Sequence, residues 1–316
     1  MGAVASLDLS VVVPLHDEEE SVPRLQPRIE AACAGLGRSF EIILVDDGST
    51  DRTWDRMNEL TCSAGELVLV ALRRNCGQTP AMAAGFALAR GEVVVAMDGD
   101  LQNDPADIPA LLDECAKGYD LVCGWRRNRQ DKLWTRKIPS RCANWLIRKV
   151  TGVHIHDYGC SLKAYRGDLV RNLRLYSDMH RFLPFVAQKI GARVTEIVVR
   201  HHPRRYGRTK YGLSRTWKVL VDLVSFKMLV HHHRRIFRWF CLLALPVLLV
   251  AAGAFLGTLF ADPPGRNVLF GCGLVLGTLG LFIVFLGLVG DLVVAGDPAE
   301  YEELRLLEPR RWSTVS

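Results

Sequence analysis

The sequence lacks the cysteine patterns that mark a zinc module or a disulfide framework. Its nine cysteines include no C-x-x-C pair, and none stands at a ligand-like spacing from a histidine. These absences exclude a small disulfide-stapled secreted domain and a structural zinc site. They predict a reducing compartment, in which the cysteines fill apolar space.

Two other signals are missing. The turn after the first predicted strand reads PLHDEEES, which is acidic and has no glycine. A dinucleotide fold with a G-x-G-x-x-G loop is therefore not expected. Met1–Asp8 has no basic start, so no secretory signal is expected. The net charge of +6 is modest and concentrates between Arg126 and Arg238. This favours a membrane surface or phosphate ligands as partners and argues against nucleic acid.

What the sequence does contain is long hydrophobic runs. Hydrophobic residues make up 49% of the chain, largely because of two stretches, Phe237–Ala261 and Val268–Val289. Each is long enough to cross a hydrocarbon core of about 30 Å. Two buried core helices are the alternative, but core helices are usually shorter and carry a polar face. The sequence therefore predicts two transmembrane helices.

Flanking charges predict the orientation of these spans. The loop Asp262–Asn267 holds only Arg266, whereas Lys and Arg are frequent outside the pair. Because Lys and Arg concentrate on the cytoplasmic side, both termini are expected to be cytoplasmic, in a multi-pass membrane protein with a short loop outside. The flanking cations are Lys218, Lys227, Arg234, Arg235, Arg238, Arg305, Arg310 and Arg311.

The first 125 residues alternate strand-like and helix-like segments. The strand-like segments are apolar on both faces, which indicates a mostly parallel sheet covered by helices on both sides. Ligands of such α/β sheets bind beyond the carboxyl ends of the strands. The predicted strands are 9–14, 40–47, 66–72, 92–98 and 119–124, and the predicted helices are 21–36, 50–60, 78–90 and 105–117.

Two aspartates, Asp98 and Asp100, follow the fourth predicted strand. Residues two apart on an extended chain project to the same side, and two close carboxylates repel each other unless a cation lies near them. Mg²⁺ commonly binds one or two carboxylates and completes its shell with water and substrate phosphate oxygens. A D-x-D triplet alone is weak evidence, but its place at a strand end favours a metal–diphosphate site.

A second polar cluster, Asp46–Asp51, follows the second predicted strand. Ser49 or Thr50 could cap the next helix, which makes a purely structural turn one of two open interpretations. The functional interpretation gives Asp47 an acceptor role toward the base or ribose of a nucleotide. The segment Arg73–Gln78 would form another wall of that pocket.

Two segments mix aromatic residues with cations, 132–150 and 215–230. Such patterns suit helices that lie in the headgroup zone of a membrane, and ordinary amphipathic surface helices are the alternative. The expected organisation is an α/β domain over 1–212, an interfacial helix over 213–236, spans over 237–261 and 268–290, and a cytoplasmic tail over 291–316.

Six motifs in order carry a resemblance to a known family. They are VVVPLHDEEE, VDDGSTDRT, RRNCGQTPAMAAGF, MDGDLQNDPADIP, HDYGCSLKAYR and RRYGRTKYG. Together they resemble family 2 glycosyltransferases that use polyprenyl phosphate as acceptor, such as dolichol-phosphate mannose synthase. Within this group the motifs look most like undecaprenyl-phosphate 4-deoxy-4-formamido-L-arabinose transferases. The resemblance implies a GT-A fold, a Mg²⁺ or Mn²⁺ cofactor, a UDP- or GDP-linked sugar donor and a polyprenyl phosphate acceptor.

The resemblance also implies roles for individual residues. Asp157 takes the position of the catalytic aspartate, with a helix- or turn-capping aspartate as the alternative. Asp98 and Asp100 take the metal positions. The nucleotide-sugar site maps to Pro14, Glu18, Asp47, Gln78, Asp98 and Gln102. Ligands for the acceptor phosphate and the diphosphate map to Arg126, Arg136, Ser140, Arg204, Arg205 and Lys210.

Some positions depart from the family pattern: Gly99 replaces the usual Ala, and His16-Asp17 replaces Tyr-Asn. The expected reaction is a single displacement, which inverts the anomeric carbon. One alternative is a processive polysaccharide synthase, but Arg235 stands where a Q-x-x-R-W motif needs Gln. A non-catalytic membrane scaffold is the other alternative, and a homo-oligomer is possible in either case.

Overall fold

The computed structural model describes residues 7–127, 148, 152–171, 182–203 and 236–295. The chain divides into two compact units, Met1–Val219 and Leu220–Ser316. Several sequence-based predictions lie outside the described residues, namely most of segment 132–150, segment 215–230, and the predicted ligands Arg136, Ser140, Arg204, Arg205 and Lys210.

The first unit is built on a seven-stranded sheet with the order β3-β2-β1-β4-β6-β5-β7. All described neighbours pair in parallel except β6, which is antiparallel to both β4 and β5. The predicted mostly parallel sheet is therefore confirmed. The strands are β1 Leu7–Leu15, β2 Phe40–Asp46, β3 Glu66–Ala71, β4 Gly91–Ala96, β5 Leu121–Trp125, β6 Lys163–Arg166 and β7 Val194–Val198.

Helices follow the strands much as predicted, with two differences. The predicted helix over 105–117 begins as a 3-10 turn, Pro105–Asp107. The helix after β2 begins at Thr53, so the prediction that Ser49 or Thr50 caps it is wrong, and Asp51 accepts a hydrogen bond from the Thr53 N–H at 2.9 Å. The helices of this unit are α1 Val22–Ala34, α2 Thr53–Asn58, α3 Gln78–Leu88, α4 Ile108–Ala116, α5 Gly167–Arg171 and α6 Leu183–Lys189.

The centre of the sheet is covered on both faces. Val11, Val12 and Val13 in β1 are consecutive, and each is 0% exposed, as are Ile42 and Ile43 in β2. Consecutive strand residues point to opposite faces, so helices must cover both sides. Each such side chain stabilises the fold by about 1.5–3 kcal/mol through burial, which holds the carboxyl ends of these strands in fixed positions.

Gly48, directly after β2, offers a test of this edge. Its φ is +60°, and an added Cβ would lie 2.3 Å from the backbone carbon of Arg74. We expect Gly48→Ala to destabilise the protein by about 2–4 kcal/mol through φ strain and overlap, and to weaken nucleotide binding. Gly37→Ala is the matched control, because Gly37 has a φ of +63° but nothing within 4 Å of its added Cβ. Equal shifts in thermal unfolding for the two variants would contradict the overlap.

The second unit contains two helices, α7 Ile236–Gly257 and α8 Pro263–Ala295. Both are long and apolar enough to cross a membrane, over Phe237–Gly257 and Pro263–Asp291. The predicted loop 262–267 is wrong in its extent, because α8 already begins at Pro263. Proline is favoured in the first turn of a helix, where its missing N–H costs nothing.

These two helices pack closely against each other. The Phe237 N–H donates to Asp291 at 3.2 Å, so a carboxylate near the end of α8 caps the start of α7. Glycines seven residues apart on α8 form a groove for large side chains of α7, because they let the backbones approach. An added Cβ would meet Phe255 at Gly273, Leu248 at Gly280 and Phe240 at Gly287.

Candidate functional site

The candidate site lies at the carboxyl edge of the sheet. Asp47 follows β2, and Asp98 and Asp100 follow β4, while β1 between these strands carries Pro14 opposite Val45. Because β6 runs antiparallel, its first residue also lies at this edge. The topology therefore gathers the predicted nucleotide and metal residues on one side of the unit.

The loops after β1 and β2 are joined by hydrogen bonds. The Asp17 N–H donates to Ser49 Oγ at 2.9 Å, and the Thr50 N–H donates to Asp17 Oδ1 at 2.9 Å. The Glu18 N–H donates to Thr53 Oγ1 at 2.8 Å. Asp17 has a φ of +48°, a conformation that aspartate tolerates better than most residues. The two loops therefore form one wall of the site.

Glu18 is largely buried in this wall, with an exposed fraction of 8%. Its Oε2 accepts a hydrogen bond from Ser21 Oγ at 2.7 Å, and its carbonyl accepts from the Ser21 and Val22 N–H groups. Glu18 thus fixes the start of α1. Its contact with a nucleotide stays a prediction.

Asp47 organises the loop after β3. Its Oδ1 accepts from the Cys76 N–H at 2.7 Å and its Oδ2 accepts from the Gly77 N–H at 2.8 Å. Gly77 has a φ of +97°, which only glycine adopts readily. Both carboxylate oxygens of Asp47 therefore hold the turn that leads into α3. Each oxygen can accept a further bond, so its role toward a nucleotide stays a prediction.

The acidic pair is half-buried and individually held. Gln78 Nε2, at the start of α3, donates to Asp98 Oδ1 at 2.6 Å. Asp100 Oδ1 accepts from the Gln102 N–H at 3.1 Å. Leu101, between Asp100 and Gln102, has a φ of +61° although its side chain is buried. The local constraint keeps both carboxylates at the sheet edge.

The acidic pair, Asp98 and Asp100, suits a divalent cation that is bound jointly by the protein and by a substrate. Asp98 Oδ2 accepts no hydrogen bond within the part of the chain that the structure describes. No cluster of three or more His, Cys, Asp or Glu side chains suited to a metal occurs among the described residues. Two carboxylates suffice for Mg²⁺ or Mn²⁺ only when water and phosphate oxygens complete the shell. The donor set thus matches a metal that binds with a diphosphate.

Arg126 and Asp157 form a buried, bidentate ion pair. Arg126 Nε donates to Asp157 Oδ2 at 2.7 Å and Nη2 donates to Oδ1 at 3.0 Å, while both side chains are about nine-tenths buried. The Arg126 N–H also donates to Oδ2 at 3.3 Å. The Nη1 donors of Arg126 contact no acceptor among the described residues. Asp157 therefore fixes the plane of a guanidinium that still has donors for an anion.

The charges around this pair are coupled. Burial opposes the charge of Arg126, but Asp157 and Asp98 raise the pKa of its guanidinium above the usual value. Burial also raises the pKa of the Cys160 thiol to about 11, and Cys160 is 0% exposed. Cys160 is therefore a packing residue, as the sequence indicates, while Arg126 stays charged close to Asp98.

The loop that carries Asp157 is held by its neighbour His156. The imidazole of His156 stacks on Trp125 with ring centroids 4.3 Å apart, and its Nδ1 contacts the Glu196 carboxylate. The His156 N–H also donates to Glu196 Oε2 at 2.8 Å. Residues of β5 and β7 thus position Asp157.

A second set of contacts, which the sequence did not reveal, ties segment 200–202 to the acidic loop. Asp107 accepts from the Arg200 N–H at 2.7 Å and from its Nε at 2.8 Å. Asp104 contacts His202 Nε2 at 2.9 Å, which lowers the pKa of Asp104 although burial alone would raise it. The His202 N–H donates to the Gln102 carbonyl at 2.9 Å. Asp104 and Asp107 belong to the MDGDLQNDPADIP motif, and this motif was the sequence signal that could have pointed to these contacts.

An acidic pair and a buried arginine thus lie at the carboxyl edge of a mostly parallel sheet, where α/β proteins bind their ligands. The family model for glycosyl transferase family 2 matches residues 10–174. The chain belongs to glycosyltransferase family 2.

Two curated proteins are similar to the chain over more than two thirds of its length. The chain is 48% identical over 236 residues to a dodecaprenyl-phosphate galacturonate synthase of Rhizobium johnstonii, covering 73% of this chain and 70% of that protein. It is 44% identical over 218 residues to an undecaprenyl-phosphate 4-deoxy-4-formamido-L-arabinose transferase of Pseudomonas aeruginosa, covering 69% of this chain and 64% of that protein. The chain thus spans somewhat less than two thirds of the second relative.

Solved structures agree on the fold. Glucosyl-3-phosphoglycerate synthase from Mycobacterium tuberculosis, in complex with Mn²⁺, uridine diphosphate and phosphoglyceric acid, matches with a TM-score of 0.53 at 21% identity. The match covers 70% of this chain and 78% of that one. At this identity the likeness shows the GT-A fold alone.

Proposed function

We propose that this protein transfers a sugar from a nucleotide-sugar donor to a polyprenyl phosphate, with inversion of the anomeric carbon. The observation that carries the proposal is the position of two charged groups at one edge of the sheet. Arg126, held by Asp157, follows β5, and Asp98 follows β4, and the carboxyl ends of these two strands flank the first residue of β6. A site for a leaving diphosphate and a site for an attacking phosphate would thus adjoin each other.

The donor end of the site is assigned to the acidic pair. Asp98 and Asp100 would hold Mg²⁺ or Mn²⁺ together with the donor diphosphate, and the metal would offset negative charge on the leaving group. Gln78 keeps Asp98 in place through the 2.6 Å bond. Pro14, Glu18, Asp47 and Gln102 would line the nucleotide pocket, since they occupy the same edge.

The acceptor end is assigned to Arg126 and Asp157. A phosphate monoester has a second pKa of about 6, so the acceptor is mostly ionised at neutral pH and needs little help from a base. Both oxygens of Asp157 already accept bonds from Arg126. We therefore assign Asp157 the task of orienting Arg126, whose remaining donors bind the acceptor phosphate.

The membrane location follows from the acceptor chemistry. A polyprenyl chain is buried in lipid, so only its phosphate reaches the surface, and an enzyme fixed at that surface gains from restricted approach. We propose that α7 and α8 cross the bacterial inner membrane as a hairpin and that the catalytic unit faces the cytoplasm. The two helices have the length and composition for this role.

The relatives' names supply two donor classes for the decisive experiment. One relative is named for galacturonate, an acidic hexose, and others for a formamido-arabinose, a modified pentose. Purified protein would be incubated with undecaprenyl phosphate, Mn²⁺ or Mg²⁺, and UDP- and GDP-linked sugars that include both classes. We expect one lipid-linked monosaccharide for a preferred donor. Polymeric product, or no lipid-linked sugar from any donor, would contradict the proposal.

A further inference from the structure

Lys163, the first residue of β6, is a buried cation that the proposed reaction has not used. Its side chain is 3% exposed, in the middle of the sheet. Its carbon stem is buried, whereas its ammonium is not sealed from solvent and contacts no carboxylate among the described residues. A cation at the carboxyl edge of the sheet that no carboxylate of the described residues neutralises is suited to an anionic ligand.

The sheet register places Lys163 between the two halves of the site. Lys163 pairs with Ala96 in β4 on one side and with Cys123 in β5 on the other. Residues paired across strands share a face, and Asp98 follows two residues after Ala96, at the same carboxyl edge of the sheet. On the other side, β5 leads to Arg126. Strand order therefore sets Lys163 between the strands that lead to Asp98 and to Arg126.

The pKa of the Cys160 thiol is consistent with this placement. Burial has the largest effect on that pKa, and the charges of Arg126, Asp157 and Lys163 also shift it. The Cys123 thiol also responds to Lys163 and to Asp157. These contributions agree with the sheet register, which sets Lys163 on the strand between β4 and β5.

We propose that Lys163 is a substrate-binding residue whose ammonium pairs with an anionic group of the nucleotide-sugar donor. This inference rests on the proposed function. The donor carries two possible anions, its diphosphate and a carboxylate on an acidic sugar. The position of Lys163 favours the sugar carboxylate, because the transferred sugar must lie between the leaving diphosphate near Asp98 and the acceptor near Arg126. Lys163 would then select uronic acid donors.

The test compares donors that differ only in this carboxylate. Binding of UDP, UDP-galactose and UDP-galacturonic acid, each with Mn²⁺, would be measured by calorimetry for the wild type and for Lys163→Met, which keeps the length but removes the charge. We expect binding of UDP-galacturonic acid to weaken about tenfold or more, with UDP-galactose unaffected. Equal weakening of all three ligands would assign Lys163 to the diphosphate, which also supports a donor anion as its partner.

Thermal unfolding separates this role from a structural one. Because Lys163→Met keeps the buried stem and removes a charge that no carboxylate of the described residues pairs with, we expect a Tm close to that of the wild type. Lys163→Arg should retain part of the binding, and Lys163→Gln serves if the Met variant does not fold. Lys117→Met is the matched control, since Lys117 is exposed at the end of α4 and pairs with Glu114.

Two results would count against the proposal, and they are distinguishable. If the wild type binds a nucleotide sugar and both uncharged Lys163 variants bind it equally well, Lys163 has no donor role while the proposed function stands. If the wild type binds none of these ligands and transfers no sugar from any UDP- or GDP-linked donor, the proposed function and this inference both fail.

Discussion

Asp98→Asn and Asp100→Asn will each lower the rate of sugar transfer by about 10³-fold, and the double alanine variant will have no measurable activity. Metal-assisted stabilisation of a leaving diphosphate contributes several kcal/mol to the barrier, and each 1.36 kcal/mol is a factor of ten in rate. The measurement is steady-state transfer of labelled sugar to undecaprenyl phosphate, with Mn²⁺ titrated from zero. Removal of the metal by a chelator should reproduce the effect of the double variant.

Asp113→Asn is the control for the loss of one negative charge. Asp113 is exposed on α4 and lies outside the candidate site, so its substitution should leave the rate unchanged. Full activity of the wild type in excess chelator, or of the double alanine variant with metal, would refute the assignment of the acidic pair.

The second large effect is expected at the buried ion pair. Asp157→Asn should reduce kcat/KM for polyprenyl phosphate by about 10²-fold, while donor binding stays near the wild-type value. The amide keeps the size of the side chain, but it offers only one acceptor oxygen to a guanidinium that donates two bonds to the Asp157 carboxylate. Arg126 would then lose its fixed orientation, and hydrogen bonds to charged groups contribute about 1.5–3 kcal/mol.

Stability measurements on the same pair complete the test. Asp157→Ala leaves a buried guanidinium without its partner and should cost about 3–5 kcal/mol of unfolding free energy. The double variant Asp157→Ala with Arg126→Met should recover much of that stability without recovering activity, since no charge is then left unpaired. Loss of nucleotide-sugar affinity in Asp157→Asn would instead place Asp157 at the donor, and stable, fully active single variants would show that the pair is dispensable.

The first five strands were predictable because each is a mostly apolar run next to a segment with a helical pattern. β2 is buried throughout and six of the nine residues of β1 are buried, and such runs separated by helical segments indicate one architecture. β6 and β7 escaped prediction for the converse reason. β6 is the four-residue segment KAYR with a cation at each end, and β7 reads VTEIV with largely half-buried side chains. Their strand conformation depends on pairing with β4 and β5, which local sequence does not report.

The candidate site likewise contains residues that the sequence predicted and contacts that it did not. Asp98 and Asp100 were placed at a strand end by a pattern contained in one short segment. The partnership of Arg126 with Asp157 joins residues 31 positions apart, and the anchoring of segment 200–202 by Asp104 and Asp107 joins residues more than 90 apart. Only the motif resemblance singled out Asp157 and Arg126 beforehand, and it assigned them separate roles that the observed ion pair now links.

By itself the sequence determined the parallel sheet, the acidic pair at its edge, the two apolar helices and the family. These properties depend on local hydrophobic periodicity and on residue types within single segments. Only the tertiary structure decided that Asp157 holds Arg126, that Lys163 is buried between β4 and β5, and that Gly48 lies against the backbone of Arg74. The physical reason is that burial and ion pairing arise between distant segments, once the sheet has brought them together.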